Sequence, residues 1–150
     1  MVKDVSVSSP APGLVRVTIL STLGDGSADA GLIATIRSAV SADKVRPLTD
    51  SVSVVSATVI PYAVAAELRV RSGPDPDLVR AEALAGASAY VADRHAIGAE
   101  VAVSGLLAAL HQPGCRTVAL LEPTTDLIVA EDEAPYCTGI DITVTVDDAR

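Results

Sequence analysis

From Val64 to Arg71 the chain reads VAAELRVR, and its residues fall into two alternating sets. Val64, Ala66, Leu68 and Val70 form one set; Ala65, Glu67, Arg69 and Arg71 form the other. Strand side chains alternate between faces, so this segment predicts a strand with one buried and one wet face. An element with one apolar face must bury it against another layer. The next segment of the chain supplies that layer. SGPDPD ends the ladder, and Asp75 with Pro76 opens a helix as N-cap and first helical residue. The helix is expected to reach about Ile97, where Gly98 stops it. Its interior, AEALAGASAY, is made of small residues, and Gly86 costs about 1 kcal/mol against Ala. That cost is understood if another backbone packs closely at Gly86.

The same period of two begins earlier, with Val52 and Val54 among serines. Pro61 has no N–H, so it predicts a split into two strands, an edge or a bulge. Nearer the N-terminus, VKDVSVSSP reads as a weak strand ended by the SPAPG turn. LVRVTIL reads as a stronger one, with Val15, Val17 and Ile19 on one face and Arg16 and Thr18 opposite. Ser27 or Asp29 can cap a helix carrying Leu32, Ile33, Ile36 and Val40, which runs out near Asp43 before Pro47. A short helix is expected over Val103 to Gln112, with Leu106, Leu107 and Leu110 inward. CRTVALL and GIDITVTV read as strands, separated by the acidic EPTTDLIVAEDEAPY with room for a short strand at Leu127 to Val129. The order is β-β-α, then β-β-α-α-β-β. This predicts an α+β fold of small mixed or antiparallel sheets packed against helices. The expected modules are 1–48 and 49–150.

Composition restricts what such a fold does. The chain has no Phe or Trp and only three Tyr, so Val, Ile, Leu and Ala must fill the core. Eleven Lys and Arg stand against nineteen Asp and Glu, for a net charge of −8. Phosphate binding needs clustered cations, and base stacking needs aromatic rings. Nucleic acid is not an expected partner. No run approaches the ~18 apolar residues of a membrane span, and MVKDVSVSSP lacks the apolar core of a signal peptide. No membrane partner is expected, and the two cysteines read as reduced thiols of a cytoplasmic protein.

Chemistry has few places to reside. ALHQPGCRTVALL sets His111 four residues before Cys115, and the other candidates are His95 and Cys137. Zinc sites usually draw four N/S ligands in paired spacings, and one irregular pair is not that. Pro113 and Gly114 have a plainer task, ending a helix and taking a turn. His111 and His95 then each occupy a last helical turn, where a cation meets the dipole favourably. Cys115 starts a strand as a small apolar residue. No G-x-S-x-G elbow or D-x-[DN]-x-[DN]-G calcium loop occurs, and Glu131, Asp132 and Glu133 read as a solvated loop. We therefore expect no catalytic residue, cofactor site or metal site. The competing class is a small intracellular enzyme or metal/thiol protein using Cys115 and His111. A third is a small-ligand regulatory domain, which needs a sizeable apolar pocket.

Several runs are similar to the bacteriophage baseplate assembly protein J family: VRPLTD (45–50), VIPYAV (59–64), SGPD (72–75), ALHQPG (109–114) and CTGI (137–140). PAPGLVRVTIL and the GDGS loop extend the resemblance over nearly the whole chain. Each motif is short; their order and spacing carry the specificity. The resemblance implies a structural protein, not an enzyme, in the baseplate wedge of a contractile-tailed phage, prophage or tail-like particle. It implies contacts with other wedge proteins and with further copies of the chain. It places the protein in the host cytoplasm during assembly and in the tail baseplate afterwards. Family members are longer, so this sequence corresponds to their C-terminal portion, with residues 1–48 a truncated middle module. Strand 3–9 and the loop at 131–133 are the expected contact elements, because an unpaired strand edge is adhesive.

Overall fold

The computed structural model describes residues 1–42 and 50–148. Among the described residues nine elements succeed one another: β1 (Val2–Ala11), β2 (Leu14–Ser21), α1 (Ala30–Val40), β3 (Ser51–Ser56), β4 (Thr58–Arg71), α2 (Pro76–Asp93), α3 (Val103–Leu110), β5 (Cys115–Glu122) and β6 (Glu133–Asp147). The fold is α+β, in the predicted order. Two units share the chain. The first takes Met1–Ile60, Ala96–Gly98 and Val129–Ala134; the second takes Pro61–His95, Ala99–Ile128 and Pro135–Arg150. The expected boundary at 48/49, Asp43 and Pro47 lie outside the described residues, and β3 belongs to the first unit.

In the first unit the sheet order is β1-β2-β3, with β1 antiparallel to β2 and β3 parallel to it. Parallel neighbours need a crossover, and α1 is that crossover. Asp29 caps it by accepting the Leu32 N–H at 2.7 Å. Leu32, Ile33, Ile36 and Val40 then pack on Val17, Ile19 and Val54. Thr18 does face away from that layer, as the alternation requires, yet it is buried, as are Leu20 and Ser21. Both faces of β2 are covered, because Ala57, Ile97 and Ala134 cluster with Leu20. Two of those three residues come from segments far along the chain, so local alternation carries no sign of them.

In the second unit β4 lies between β5 and β6. Val64, Ala66, Leu68 and Val70 are all buried, while Arg69 and Arg71 are exposed. Val79, Ala83 and Ala87 of α2, spaced one turn apart, close over Ala66, Leu68 and Val70. The close backbone approach expected at Gly86 is present. A Cβ there would overlap the Ala109 carbonyl oxygen of α3 and lie 2.8 Å from the Gln112 side-chain nitrogen. Gly105 answers from the other helix, since a Cβ on it would strike the ring of Tyr90. Leu106 and Leu110 are buried as expected, whereas Leu107 is only half-buried.

Several boundaries differ from expectation: β1 runs through Ser9 and Pro10 to Ala11 before it turns, and α3 ends at Leu110 rather than Gln112. The strand break falls at Ala57, not Pro61; Ala57 is buried and donates its N–H to Ile19 O. Pro61 lies within β4, ahead of the β5 ladder, whose pairing reaches only to Ala65. Helix α2 ends at Asp93, four residues short of Ile97, with Arg94 as C-cap; Gly98 serves a later turn at φ +71°. β6 begins at Glu133 rather than Gly139, because Ala134 and Pro135 are themselves buried. In place of a strand at Leu127–Val129 there is a single bridge, Val101 to Leu127.

Candidate functional site

The His111–Cys115 segment is built as a helix stop. His111 is the C-cap of α3, its N–H bonded to Leu107 O at 3.0 Å and its side chain exposed. The Gln112 N–H reaches Leu110 O, and the Cys115 N–H reaches Gln112 O, both at 3.0 Å. Gly114 takes φ +90°, a value that disfavours any side chain, and Val79 and Pro74 crowd the space a Cβ would need. Cys115 then enters the sheet, buried in the cluster of Leu68, Val70 and Val79. Its thiol lies 3.3 Å from Thr117 O. Burial pushes that thiol up, against a smaller opposite effect of the Thr117 hydrogen bond. A reactive cysteine needs the reverse, an electropositive site that favours thiolate.

The other two candidates sit elsewhere in the second unit. His95 is not in the last turn of α2 but just beyond its C-cap, so the dipole argument does not describe it. Its Nδ1 is 2.7 Å from Pro135 O, and its ring lies 5.3 Å from that of Tyr136 at 59°. Cys137 is half-buried, its thiol 3.3 Å from Gly139 O, and burial raises its pKa as well. Among the described residues no group of three or more His, Cys, Asp or Glu side chains is placed to hold a metal ion. Nor does the 131–133 segment stand free: Glu133 accepts the Ala130 N–H at 2.8 Å and Asp132 O accepts from Thr58.

Among the described residues the surface also carries an edge strand and a groove. β1 is an edge strand of its sheet, with Val5 47% and Val7 66% exposed. In the second unit a groove of about 380 Å³ opens between Tyr62 and Ala63 of β4 and the segment from Glu122 to Leu127. Sequence reading missed it. Pro123 is visible as a strand stop, but nothing local says that the chain then curls back beside β4.

Residues 1–56 match the Baseplate J-like central domain, and residues 62–143 match the Baseplate J-like protein C-terminal domain. The chain belongs to the baseplate J-like family. The two matches fall in order, central then C-terminal. A baseplate J-like relative, the Baseplate protein J of Escherichia phage P2, is 36% identical over 137 residues. That alignment covers 91% of this chain and 45% of the relative, so the chain spans less than half the relative's length.

Proposed function

We propose that the chain serves as a structural subunit of a phage baseplate, working by contact and not by catalysis. The observation that carries this reading is the paired family match, central domain then C-terminal domain, over most of the described chain. The similarity to the phage P2 Baseplate protein J runs through both units. The side chains agree with it. Burial shifts both thiols away from thiolate, His95 Nδ1 meets Pro135 O, and His111 is the C-cap of α3.

The finer reading is a wedge component of a contractile tail or tail-like particle, assembled in the host cytoplasm and carried in the baseplate. Its partners are other wedge proteins and further copies of itself. Edge strand β1 supports this, since its exposed valines continue the face that α1 covers over β2 and β3. Standard protein interfaces bury roughly 1,200–2,000 Å², and a strand edge with an apolar margin is a common nucleus for one.

Tail particles purified from a host encoding the chain test the role. Mass spectrometry should find its peptides in the tail fraction, and deleting the gene should leave tails without complete baseplates in electron micrographs. Complete baseplates in the deletion strain overturn the reading.

A further inference from the structure

We propose that the groove beside the start of β4 receives an extended, lysine- or arginine-bearing segment of a partner protein, added as a strand. The inference deepens the structural-subunit reading, on which it rests, by naming one docking surface and the chemistry of what fills it.

Three observations converge on that groove. The first is an interrupted ladder. β4 and β5 pair from Val70↔Cys115 back to Ala65↔Glu122, and there the pairing stops. β4 itself continues through Ala63, whose backbone groups turn to this flank, while Val64 and Tyr62 O on either side are bonded by Cys137 and Thr138 of β6. Pro123, next after Glu122, has no N–H to offer, and the chain turns away to bridge Val101 through Leu127 instead. Among the described residues no strand pairs with Ala63 on that flank, and such an edge is a template for another chain.

The second is room. The space between this edge and the Pro123–Leu127 segment is about 380 Å³, within the roughly 300–1,000 Å³ of pockets that take ligands. It is an open trough, as an added strand requires. Its far wall is not loose. The Asp126 carboxylate accepts the Val103 N–H at 2.8 Å, and Leu127 exchanges both backbone bonds with Val101 at 2.9 and 3.0 Å. The two walls are thus held apart by bonds that an incoming segment does not have to break.

The third is charge. Of the eight lining residues only Glu122 and Asp126 are charged, and both are acidic and exposed. No lining residue is a cation. Alternate side chains of an added strand point to opposite faces, so one set can reach the carboxylates while the other stays clear of them. Carboxylates on the rim favour a cationic segment and repel an acidic one.

The test uses the full chain, isotopically labelled, and two synthetic peptides, acetyl-TVKVKVT-amide and acetyl-TVEVEVT-amide. Amide shifts of Ala63, Val64 and Thr124 to Leu127 should move on adding the lysine peptide at millimolar concentration, and the glutamate peptide should bind at least about tenfold more weakly. Glu122→Lys, on an exposed side chain, should reverse that preference. A lysine peptide N-methylated at alternate residues, which cannot complete a ladder, should leave those amides unmoved. The proposal is overturned if no groove amide moves, if both peptides bind alike, or if N-methylation has no effect. Those outcomes leave the particle-fraction and gene-deletion results untouched, so failure of the groove and failure of the baseplate role read out separately.

Discussion

A single missing methyl group at Gly86 lets helices α2 and α3 touch, and this makes it a sharp probe of packing. Helix propensity alone says Gly86→Ala should stabilise by about 1 kcal/mol. The overlap with Ala109 O, a backbone atom, says the opposite. We expect Gly86→Ala to lower stability by about 1–3 kcal/mol, as overpacking does, measured by urea unfolding. Tyr62 offers the contrary case. Its hydroxyl is buried with no hydrogen-bond partner among the described residues. Burial, with Cys137 and Tyr90 nearby, raises its pKa far above the ordinary phenol value. Tyr62→Phe should therefore leave stability unchanged or raise it, because the unpaired group is removed. The thiols give a pH signature. Unfolded cysteines ionise near pH 8.5, while burial keeps Cys115 and Cys137 protonated beyond that point. Their contribution to stability is whole below about pH 8.5 and is lost as pH climbs through the higher folded values. Thermal melts between about pH 7 and 10 should fall less steeply for the Cys115→Ala, Cys137→Ala double variant.

Elements built from local periodicity were legible, and those completed by distant residues were not. The Asp29 and Asp75 caps, the α1 stripe and the buried face of β4 all stem from spacing within about a dozen residues. Gly86 was legible too, because a glycine among alanines marks an approach that only tertiary structure explains. The burial of Thr18, the early end of α2 and the groove at Tyr62 were not. The burial of Thr18 and the groove at Tyr62 each depend on a segment more than thirty positions away in sequence. The N-terminus of α3 shows how such help arrives. Its N-cap, Ala102, has no side chain to accept a bond. Instead the Tyr90 hydroxyl, from α2, accepts the Ala102 N–H at 3.0 Å, and Asp126 accepts the next N–H. Tyr90→Phe should cost about 1 kcal/mol and speed hydrogen exchange at Ala102 ahead of residues in α2, as NMR can follow. Unchanged exchange at Ala102 would contradict that assignment.

The whole molecule is a chain that returns to its first unit twice after leaving it. The residues that cover Leu20 are Ala57, Ile97 and Ala134, and only Ala57 lies within the first sixty positions. A fragment of residues 1–60 should thus retain the β1–β2–β3 ladder yet expose one face of it. We expect such a fragment to bind a hydrophobic dye and to unfold with lower cooperativity than the full chain. A sharp, dye-free transition would show that the late segments are dispensable. The acidic 122–136 stretch, which in sequence looks like filler between two strands, holds both the wall of the groove and part of the first unit's cover.

That return visit sets a timetable for biosynthesis. Residue 134 leaves the ribosome some 70 codons after residue 60, which at ordinary elongation speeds is roughly 4–15 s. Through that interval the nascent first sheet holds Leu20 under Ala57 alone, until Ile97 and then Ala134 arrive to complete its cover.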